Sequence, residues 1–296
     1  MNSNKIAVIL VNYNGITDSI DCIESLYKTT SPEELSIIFV DNASKNDEAK
    51  IIEKNFPEAI TIRSENNGGF SVGNNIGIKY ALTNDYGYIL LLNNDTVVAP
   101  DMIELLKSYC TDSSIAVPKM LYYSNPNVIW YGGGFINRKT GNAEHINMNC
   151  IDTRDTTVKN CTFASGCCMM IKANTFKVVG LLDEDYFMYC EDTEFCIRLL
   201  KNGIRIKYIP TAKLWHKVSQ STGGSDSAFS TYYMTRNRLN YIKKYCNEFS
   251  WTAYPFSLLT RYIRMITCKD KKKKQAFRQG IHDHIKAVTG KVSPYL

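Results

Sequence analysis

The first hundred residues alternate between short apolar runs and segments with the 3.6-residue periodicity of an amphipathic helix. The apolar runs predict four buried strands, at residues 5–11, 35–40, 59–62 and 88–92. The segments between them predict helices at residues 17–28, near 46–55 and at 71–82, with Thr17 as the N-cap of the first. Short strands separated by helices predict an α/β fold around a parallel sheet with right-handed crossovers.

Groups of polar residues and glycines come after each of the four predicted strands. They are Asn12, Tyr13, Asn14 and Gly15; Asp41 and Asn42; Asn66, Asn67, Gly68 and Gly69; and Asn93, Asn94 and Asp95. Asn and Asp are common in turns, so a turn would explain any one group alone. The carboxyl ends of parallel strands share one edge of a sheet, where α/β proteins bind their ligands. The four groups together therefore predict a ligand site at that edge.

Helices, strands and loops are mixed over residues 101–220. The pattern there predicts a helix from Glu191 to Asn202 that stops at Gly203, and then a strand at 204–209 that ends at Pro210. Helical periodicity dominates residues 228–266. We therefore expect the chain to end in helices.

Composition is that of an ordinary globular protein, with 44% hydrophobic and 22% charged residues among 296. The chain has no run of about 18 apolar residues that would predict a transmembrane span. The N-terminus lacks the apolar core and cleavage site of a signal peptide, so we expect a cytoplasmic protein. The ten cysteines form no C-x-x-C pair, which favours reduced thiols in the core over disulfides or a metal cluster.

The basic character of the chain lies in its C-terminal tail. Residues 261–296 contain ten Lys/Arg and two Asp/Glu, a net charge of +8, against +6 for the whole chain and −2 for residues 1–260. A basic tail on a slightly acidic body argues against nucleic-acid binding and predicts a docking segment.

Two groups of acidic residues are candidates for the chemistry. Asp95 offers the oxygen ligand that Mg²⁺ prefers, although a turn would explain it equally well. Glu191 and Asp192 follow an aromatic stretch and begin a predicted helix, where acids also complement the helix end. A carboxylate beside aromatic walls suits a general base that meets a hydroxyl group.

Two basic groups complete the candidate chemistry. His216 precedes a loop rich in Ser, Thr and Gly, and it could supply one imidazole ligand to a metal. Arg236 and Arg238 lie on a predicted helix start, where they suit bidentate contacts to a diphosphate. A solvated basic face is the alternative for the arginines.

Eight segments in order carry a resemblance to a known family. They are "VILVNYNG", "FVDNAS", "NNGGFSVGNNIGI", "LLLNNDTVVAPD", "SGCCMMI", "GLLDEDYFMYCEDTEFCIRLLKNGIRIKYIP", "LWHKVSQS" and "YYMTRNRL". Together they resemble the inverting glycosyltransferases of family 2, which have the GT-A fold, and most closely their bacterial rhamnosyltransferase-like branch. The resemblance covers about residues 5–240.

The resemblance implies a fold and its division into parts. We expect a GT-A domain at residues 1–240, with a Rossmann-like nucleotide-sugar half at 1–100, an acceptor and catalytic half at 101–240, and a mixed central sheet. A basic helical extension is expected at residues 241–296.

The resemblance also implies roles for the candidate residues. Those expected to bind the nucleotide sugar are Asn12, Tyr13, Asn14, Asp41, Asn67, Asn75, Asn94 and Arg236, the last by neutralising the departing diphosphate. The family's D-x-D element falls on residues 93–95, so Asp95 would bind Mg²⁺ or Mn²⁺ with His216 as a further ligand. Asn93 replaces the first acid of that element, which weakens a metal site built from two carboxylates.

Asp192 would be the general base of a direct displacement that inverts the anomeric centre. Its neighbour Glu191 remains the alternative, because a helix position alone does not separate them. The implied reaction moves L-rhamnose from dTDP-rhamnose to a hydroxyl of a lipid-linked glycan in bacterial surface-polysaccharide synthesis. A UDP-hexose or UDP-N-acetylhexosamine transferase, and a non-catalytic nucleotide-sugar-binding subunit, remain open alternatives.

The tail predicts a further amphipathic helix. Its apolar stripe consists of Trp251, Tyr254, Leu258, Tyr262 and Met265, with Arg261 and Arg264 interspersed. Such a helix either packs on the body of the protein or lies in an anionic membrane surface. The second alternative fits a lipid-linked acceptor and would place the protein on the inner face of the cell membrane.

Overall fold

A mixed β-sheet forms the centre of the computed structural model, which describes residues 4–218 and 227–292. The strands are β1 (Ile6–Asn12), β2 (Leu35–Asp41), β3 (Ile60–Arg63), β4 (Tyr88–Asn93), β5 (Thr96–Val98), β6 (Ser114–Tyr122), β7 (Ile129–Tyr131), β8 (Gly134–Ile136), β9 (Ala143–His145), β10 (Lys159–Cys161), β11 (Cys168–Lys172) and β12 (Arg205–His216). The main order is β10-β12-β6-β11-β4-β1-β2-β3; β5 pairs with β12, β7 pairs with β6, and β8 and β9 form a separate hairpin.

Helices cover both faces and the C-terminal side of this sheet. They are α1 (Ile16–Leu26), α2 (Glu48–Asn55), α3 (Gly69–Thr83), α4 (Met102–Tyr109), α5 (Thr175–Val179), α6 (Glu191–Lys201), α7 (Ala228–Lys244), α8 (Ala253–Thr267) and α9 (Lys271–Ile285), with 3₁₀ turns at Pro32–Glu34 and Cys246–Glu248. The predicted α/β fold with a mixed sheet and C-terminal helices is confirmed. None of the described helices is long and apolar enough to cross a membrane.

The N-terminal half contains the four predicted strands and the three predicted helices. Strands β3, β2, β1 and β4 are parallel neighbours, and the interior of β1 is buried from Ile6 to Leu10. One detail of the prediction is wrong: α1 begins at Ile16 with Gly15 as its N-cap residue, so Thr17 lies inside the first turn.

The parallel register brings the predicted polar strand ends together. Asn12 pairs with Asp41, Asp41 pairs with Arg63, and Asn93 pairs with Val11. The chain passes from β1 to β2 and β3 on one side, whereas β4 lies on the other side of β1, so the strand order reverses between β1 and β4. Such a switch point opens a crevice at the carboxyl ends of the strands.

The second half extends the sheet with strands of both directions. Strand β11 is antiparallel to β4, and β12 is parallel to β6. The expectation that Pro210 ends a strand is wrong, because β12 continues through it to His216. The register of β12 shifts between Ile209 and Lys213, and an irregularity of this kind accommodates a proline, which has no N–H to donate.

The C-terminal helices pack against one another. Tyr232 on α7 donates to Asp283 on α9 at 2.6 Å, and Tyr254 on α8 is 2.9 Å from the ring of His284 on α9. The predicted boundary at residue 240 falls inside α7. The helical part of the tail therefore continues directly from the catalytic half.

Candidate active site

A cavity of about 320 Å³ opens at the carboxyl edge of the parallel strands. Among the predicted site residues, those that line it are Tyr13, Asn67, Asn94, Asp95 and His216. The opposite wall is formed by Phe70 and Asn74 from α3 and by Met188 and Tyr189 from the loop before α6. The cavity therefore lies where the two predicted halves of the chain meet.

Asn12 lies beneath the cavity floor and is fully buried. Its amide nitrogen donates to Glu48 at 2.6 Å, and its oxygen accepts from Ser19 and from the Asn94 amide at 3.1 Å each. Both polar atoms of its side chain are thus hydrogen-bonded to other residues of the protein. Asn12 joins the loops after β1 and β4, and it is not among the residues that line the cavity.

The loop after β1 and the end of β2 form one end of the site. Tyr13 is 44% exposed at the cavity rim, while Asn14 has φ +55° and accepts from the backbone N–H of Lys45 at 2.9 Å. Asp41 is fully buried, and its Oδ1 accepts from the Ser44 N–H at 3.0 Å. Its Oδ2 has no hydrogen-bond partner among the described residues, although an Arg63 nitrogen lies 3.4 Å away. Asp41 is not one of the cavity-lining residues, and its Oδ2 faces the charge of Arg63.

Two neighbouring asparagines of α3, Asn74 and Asn75, have different positions relative to the cavity. Asn74 lines the cavity. Asn75 is buried and bonds the backbone of Leu182, with its N–H donating to the carbonyl at 2.9 Å and its oxygen accepting at 3.0 Å. Asn75 therefore fixes the loop before α6 in the structure and does not line the cavity.

Gly69 lets this helix approach the loop before α6. Its φ is +80°, and a Cβ added there would lie 1.9 Å from the carbonyl oxygen of Phe187. The next residue, Phe70, donates its backbone N–H to the same oxygen at 2.9 Å. Only glycine fits this position, because a side chain would be strained and would also strike the Phe187 backbone.

Asp95 and His216 face each other across the cavity floor. Pairing of β5 with β12 sets His216 opposite Thr96, and His216 Nε2 lies 3.1 Å from Asp95 Oδ1. Burial lowers the pKa of His216, but its neighbours Cys167 and Asp95 outweigh that effect, so the pKa rises to about 10. Trp130 packs edge-on against the imidazole at 4.4 Å between ring centroids and restricts its orientation.

The side chains of Asp95 and His216 are hydrogen-bonded at 3.1 Å, and His216 would have to lose its proton for a divalent cation to replace that bond. Adjacent octahedral ligands at about 2.1 Å from Mg²⁺ are about 3.0 Å apart, close to the distance between Asp95 Oδ1 and His216 Nε2. Within the described ranges, no group of three or more His, Cys, Asp or Glu side chains could hold a metal. The two residues fit an ion that takes its other ligands from water and phosphate oxygens.

Glu191 and Asp192 begin α6 after a strained turn. Tyr189 and Cys190 both have positive φ, at +67° and +73°, which is uncommon for residues other than glycine. Asp192 Oδ2 accepts from the Gly166 N–H at 3.1 Å, and Oδ1 accepts from the Thr193 N–H at 2.7 Å. Backbone donors therefore hold its carboxylate in one orientation.

The two neighbouring acids have different environments. Burial, and then the charge of Asp192, raise the pKa of Glu191 well above its usual range, and Glu191 Oε2 has no hydrogen-bond partner among the described residues. Burial also raises the pKa of Asp192, although the N–H donors of Gly166 and Thr193 oppose this effect. Backbone donors thus support the Asp192 carboxylate, whereas burial and the charge of Asp192 disfavour the ionised form of Glu191.

Asp192 is close to the cavity without being one of its lining residues. A Cβ built on Gly166 would lie 3.5 Å from the Asp192 Cβ and 3.0 Å from the ring of Phe70, which lines the cavity. Gly166 therefore lies between Asp192 and the Phe70 ring.

Arg236 occupies a different place from the one predicted. It lies in the third turn of α7 and is fully buried, so the expectation of a helix start is wrong. Its guanidinium donates to Asn237 Oδ1 and to the Gly290 carbonyl, at 2.9 Å each, and packs on the ring of Tyr233. Arg236 is not a cavity-lining residue, and its contact with a diphosphate remains a prediction.

Asn237 is a structural partner of the site that sequence reasoning missed. Its amide nitrogen donates to the carbonyls of Met188 and Tyr189 at 2.9 and 2.8 Å. It therefore links Arg236 to the strained turn before the two acids. Its place directly after Arg236 in the segment "YYMTRNRL" could have marked Asn237 as a candidate residue. A local sequence pattern does not show which backbone carbonyls a side-chain amide will bond.

Comparison with known proteins agrees with this architecture. The profile of Glycosyl transferase family 2 matches residues 7–180. The hexosyltransferase Agl10 of low-salt glycan biosynthesis in Haloferax volcanii is 28% identical over 240 residues, covering 79% of this chain and 74% of that protein. The dTDP-rhamnosyl transferase RfbF of Shigella flexneri is 26% identical over 254 residues, covering 82% of this chain and 81% of that protein.

Solved structures show the same fold at low identity. GalNAc-T7, crystallised with UDP, GalNAc and Mn²⁺, is 16% identical with a TM-score of 0.68 and aligns with 96% of this chain and 55% of its own. A TarS fragment from S. aureus is 15% identical with a TM-score of 0.60 and aligns with 96% and 81%. The chain belongs to glycosyltransferase family 2, with the GT-A fold, and resembles the rhamnosyltransferases of that family.

Proposed function

We propose that this enzyme is an inverting, metal-dependent transferase that moves L-rhamnose from dTDP-rhamnose to a hydroxyl of a lipid-linked glycan acceptor in bacterial surface-polysaccharide synthesis. The observation that carries the reaction type is the orientation of the Asp192 carboxylate, which backbone donors fix beside Gly166, next to the cavity-lining Phe70. The dTDP-rhamnosyl transferase that aligns with most of this chain supports the choice of donor. An N-acetylglucosaminyl-diphospho-decaprenol L-rhamnosyltransferase of Mycobacterium tuberculosis, 42% identical over 59 residues, supports the acceptor class.

The nucleotide sugar would occupy the cavity at the strand ends. Asp41 Oδ2, which an Arg63 nitrogen approaches to 3.4 Å without a hydrogen bond, would accept an N–H of the base, and Tyr13 at the rim offers a ring face. Asn67 lines the same end and accepts from the Gly69 N–H at 2.9 Å, which holds its side chain toward the cavity. The roles of Asn12, Asn14 and Asn75 are then indirect, since they fix the loops around this pocket.

Asp192 would remove the proton from the acceptor hydroxyl. The hydroxyl oxygen forms a bond to the anomeric carbon as the bond from that carbon to the diphosphate breaks, and the electron pair leaves with the nucleoside diphosphate. The proton passes to Asp192, whose raised pKa brings it closer to that of the group it deprotonates. A single displacement inverts the anomeric centre and requires no enzyme nucleophile.

Asp95 and His216 are the residues that would hold Mg²⁺ or Mn²⁺. When bound, such an ion supplies positive charge that stabilises the departing diphosphate. The distance between the two side chains, and the Mn²⁺ in the structure of GalNAc-T7, support this assignment. Asn94 fixes the loop that carries Asp95 through its 2.8 Å bond to Ser19.

A UDP-hexose or UDP-N-acetylhexosamine remains the alternative donor, and the 28% identical hexosyltransferase is the observation in its favour. A thermal-shift screen of dTDP- and UDP-sugars with Mn²⁺ tests the donor, because a ligand that binds the native state raises the unfolding temperature. We expect the largest shift from dTDP-rhamnose. A larger shift from a UDP-sugar would reassign the donor.

The reaction itself needs a separate assay. Release of nucleoside diphosphate from the selected donor, in the presence of a polyprenyl-diphosphate-linked glycan, distinguishes an enzyme from a nucleotide-sugar-binding subunit. Binding without any release or transfer would identify the protein as a binding subunit.

A further inference from the structure

Helix α8 presents an apolar face to solvent. The side chains on it are Phe256, Leu259, Tyr262, Ile263 and Ile266, which are 43–64% exposed. They follow steps of three and four residues and therefore share one side of the helix, which we name the outer face. The opposite side carries Ala253, Ser257 and Arg261, which are buried against the protein.

The outer face differs from the stripe that the sequence predicted. Of the predicted stripe, Tyr254, Leu258 and Met265 are half-buried and pack toward the protein, whereas Trp251, just before the helix, is 86% exposed. The helix therefore has two apolar sides. One is used for packing on the protein, and the outer face remains open to a partner. Apolar surface of this extent on one helix marks an interaction site.

Lysines adjoin the outer face at the end of α8. Lys269, Lys271, Lys272 and Lys274 are all exposed within eight residues of Ile266. Residues 261–296 carry a net charge of +8. A second copy of this chain would bring an equal positive charge against the first, so self-association through this face is disfavoured. The complementary surface is apolar and negatively charged.

We propose that the outer face of α8 binds an anionic lipid bilayer. The helix lies in the plane of the interface, with Leu259, Ile263 and Ile266 inserted below the headgroups and the adjoining lysines in contact with acidic headgroups. Trp251 sits at the headgroup level, which its amphipathic ring favours. This binding does not depend on which sugar the cavity takes, because the outer face is separate from the residues that line the cavity.

Flotation of the full chain with vesicles tests the apolar part of this surface. One set of vesicles is phosphatidylcholine alone, and the other contains about 25 mol% phosphatidylglycerol, which supplies the negative surface potential. The variant Leu259→Ser/Ile263→Ser/Ile266→Ser is compared with Ile51→Ser/Ile151→Ser/Val178→Ser, whose side chains are 38%, 72% and 62% exposed elsewhere. We expect the wild type and the control to float with anionic vesicles and the outer-face variant to lose at least tenfold in binding.

A variant that removes lysine charges tests the basic part of the surface separately from its apolar part. Lys269→Gln/Lys271→Gln/Lys274→Gln should weaken binding to anionic vesicles, and about 0.5 M salt should do the same to the wild type by screening. The matched control replaces exposed lysines elsewhere, as Lys28→Gln/Lys54→Gln/Lys177→Gln. Vesicle binding should also shift the emission of Trp251 to shorter wavelength.

Each other outcome overturns the proposal. These are equal flotation of the outer-face variant and its control, equal flotation on neutral and anionic vesicles, and absence of flotation. A dimer in solution that the outer-face variant dissociates, without vesicle binding, would assign the face to a second copy. Donor binding, measured by thermal shift, should be the same in all variants, so a failure here is distinct from a failure of the proposed transferase activity.

Discussion

The side-chain amide of Asn237 donates to the carbonyl oxygen of Tyr189 at 2.8 Å and holds a turn in which Tyr189 and Cys190 both have positive φ. Two consecutive residues in this conformation cost roughly 1–3 kcal/mol each, so the turn persists only if its surroundings fix it. The turn sets the direction of α6 and, with it, the position of Asp192. Asn237 is therefore a positioning residue for the base.

Replacement of Asn237 by Ala should lower kcat more than it affects donor binding. Loss of the two amide bonds lets the turn relax, and a small displacement of the base costs about 10- to 100-fold in rate. Steady-state kinetics together with donor titration checks this, with Asn202→Ala as the control, since the Asn202 side chain donates to the Arg198 carbonyl at an exposed helix end. Equal losses in kcat and in donor affinity would indicate general disruption of the fold.

Asp192→Asn should reduce turnover by about 10³-fold or more while donor binding survives, because the amide cannot accept the acceptor's proton at neutral pH. Glu191→Gln should change turnover by less than about tenfold, because burial and the charge of Asp192 disfavour the ionised form of that acid. Single-turnover release of nucleoside diphosphate measures both. The assignment fails if Glu191→Gln is the more damaging change.

Asp95→Asn and His216→Ala should each abolish the stabilisation that Mn²⁺ adds to the nucleotide-bound protein. Each change removes one of the two side chains that would hold the ion, and chelation of Mn²⁺ should have the same effect on the wild type. The measurement is the unfolding temperature with nucleoside diphosphate, with and without Mn²⁺. Asp101→Asn, at an exposed position before α4, is the control and should retain the full shift.

Stability should fall in acid through His284. Burial and then the charge of Lys243 lower the pKa of His284 to about 4, below its value of about 6.5 in an unfolded chain. The unfolded state then binds more protons between these pH values, so the stabilisation is complete above about pH 6.5 and decreases as the pH falls toward 4. At pH 5 the loss is about 2 kcal/mol.

Urea denaturation at pH 7.5 and at pH 5 measures this loss. His284→Gln should reduce the difference between the two pH values by about 2 kcal/mol, because glutamine does not titrate. His282→Gln is the control, since its side chain is exposed on the same helix. Equal pH dependence in the two variants would contradict the assignment to His284.

The sequence predicts the edge of the sheet that carries the site better than the orientation of side chains at that edge. The apolar runs locate the strands, and helical connections between them imply parallel pairing. The carboxyl ends of the strands could therefore be placed at one edge of the sheet. Of the neighbouring pair Asn74 and Asn75, only Asn74 lines the cavity, since adjacent helix residues point about 100° apart. Which of the two side chains faces the cavity is decided by the contact of α3 with the loop at Leu182, which is distant in sequence.

Two other differences have the same origin in tertiary contacts. The sequence pattern predicts that Arg236 is a surface residue suited to phosphate, but its guanidinium is buried against the Gly290 carbonyl and the Tyr233 ring. Helix α8 has apolar residues on two sides, and its periodicity is compatible with burial of either one. Contacts between segments that are far apart in sequence decide both cases.

The bond from Arg236 to Gly290 also has a consequence for synthesis of the chain. The guanidinium is fully buried, and one of its acceptors lies 54 residues further along the chain. Until residue 290 has left the ribosome, Arg236 lacks that acceptor, and the turn that Asn237 holds lacks its final support. The strands β1 to β4 and the helices between them can fold while translation continues, since they are complete by residue 93, but the turn before α6 must wait.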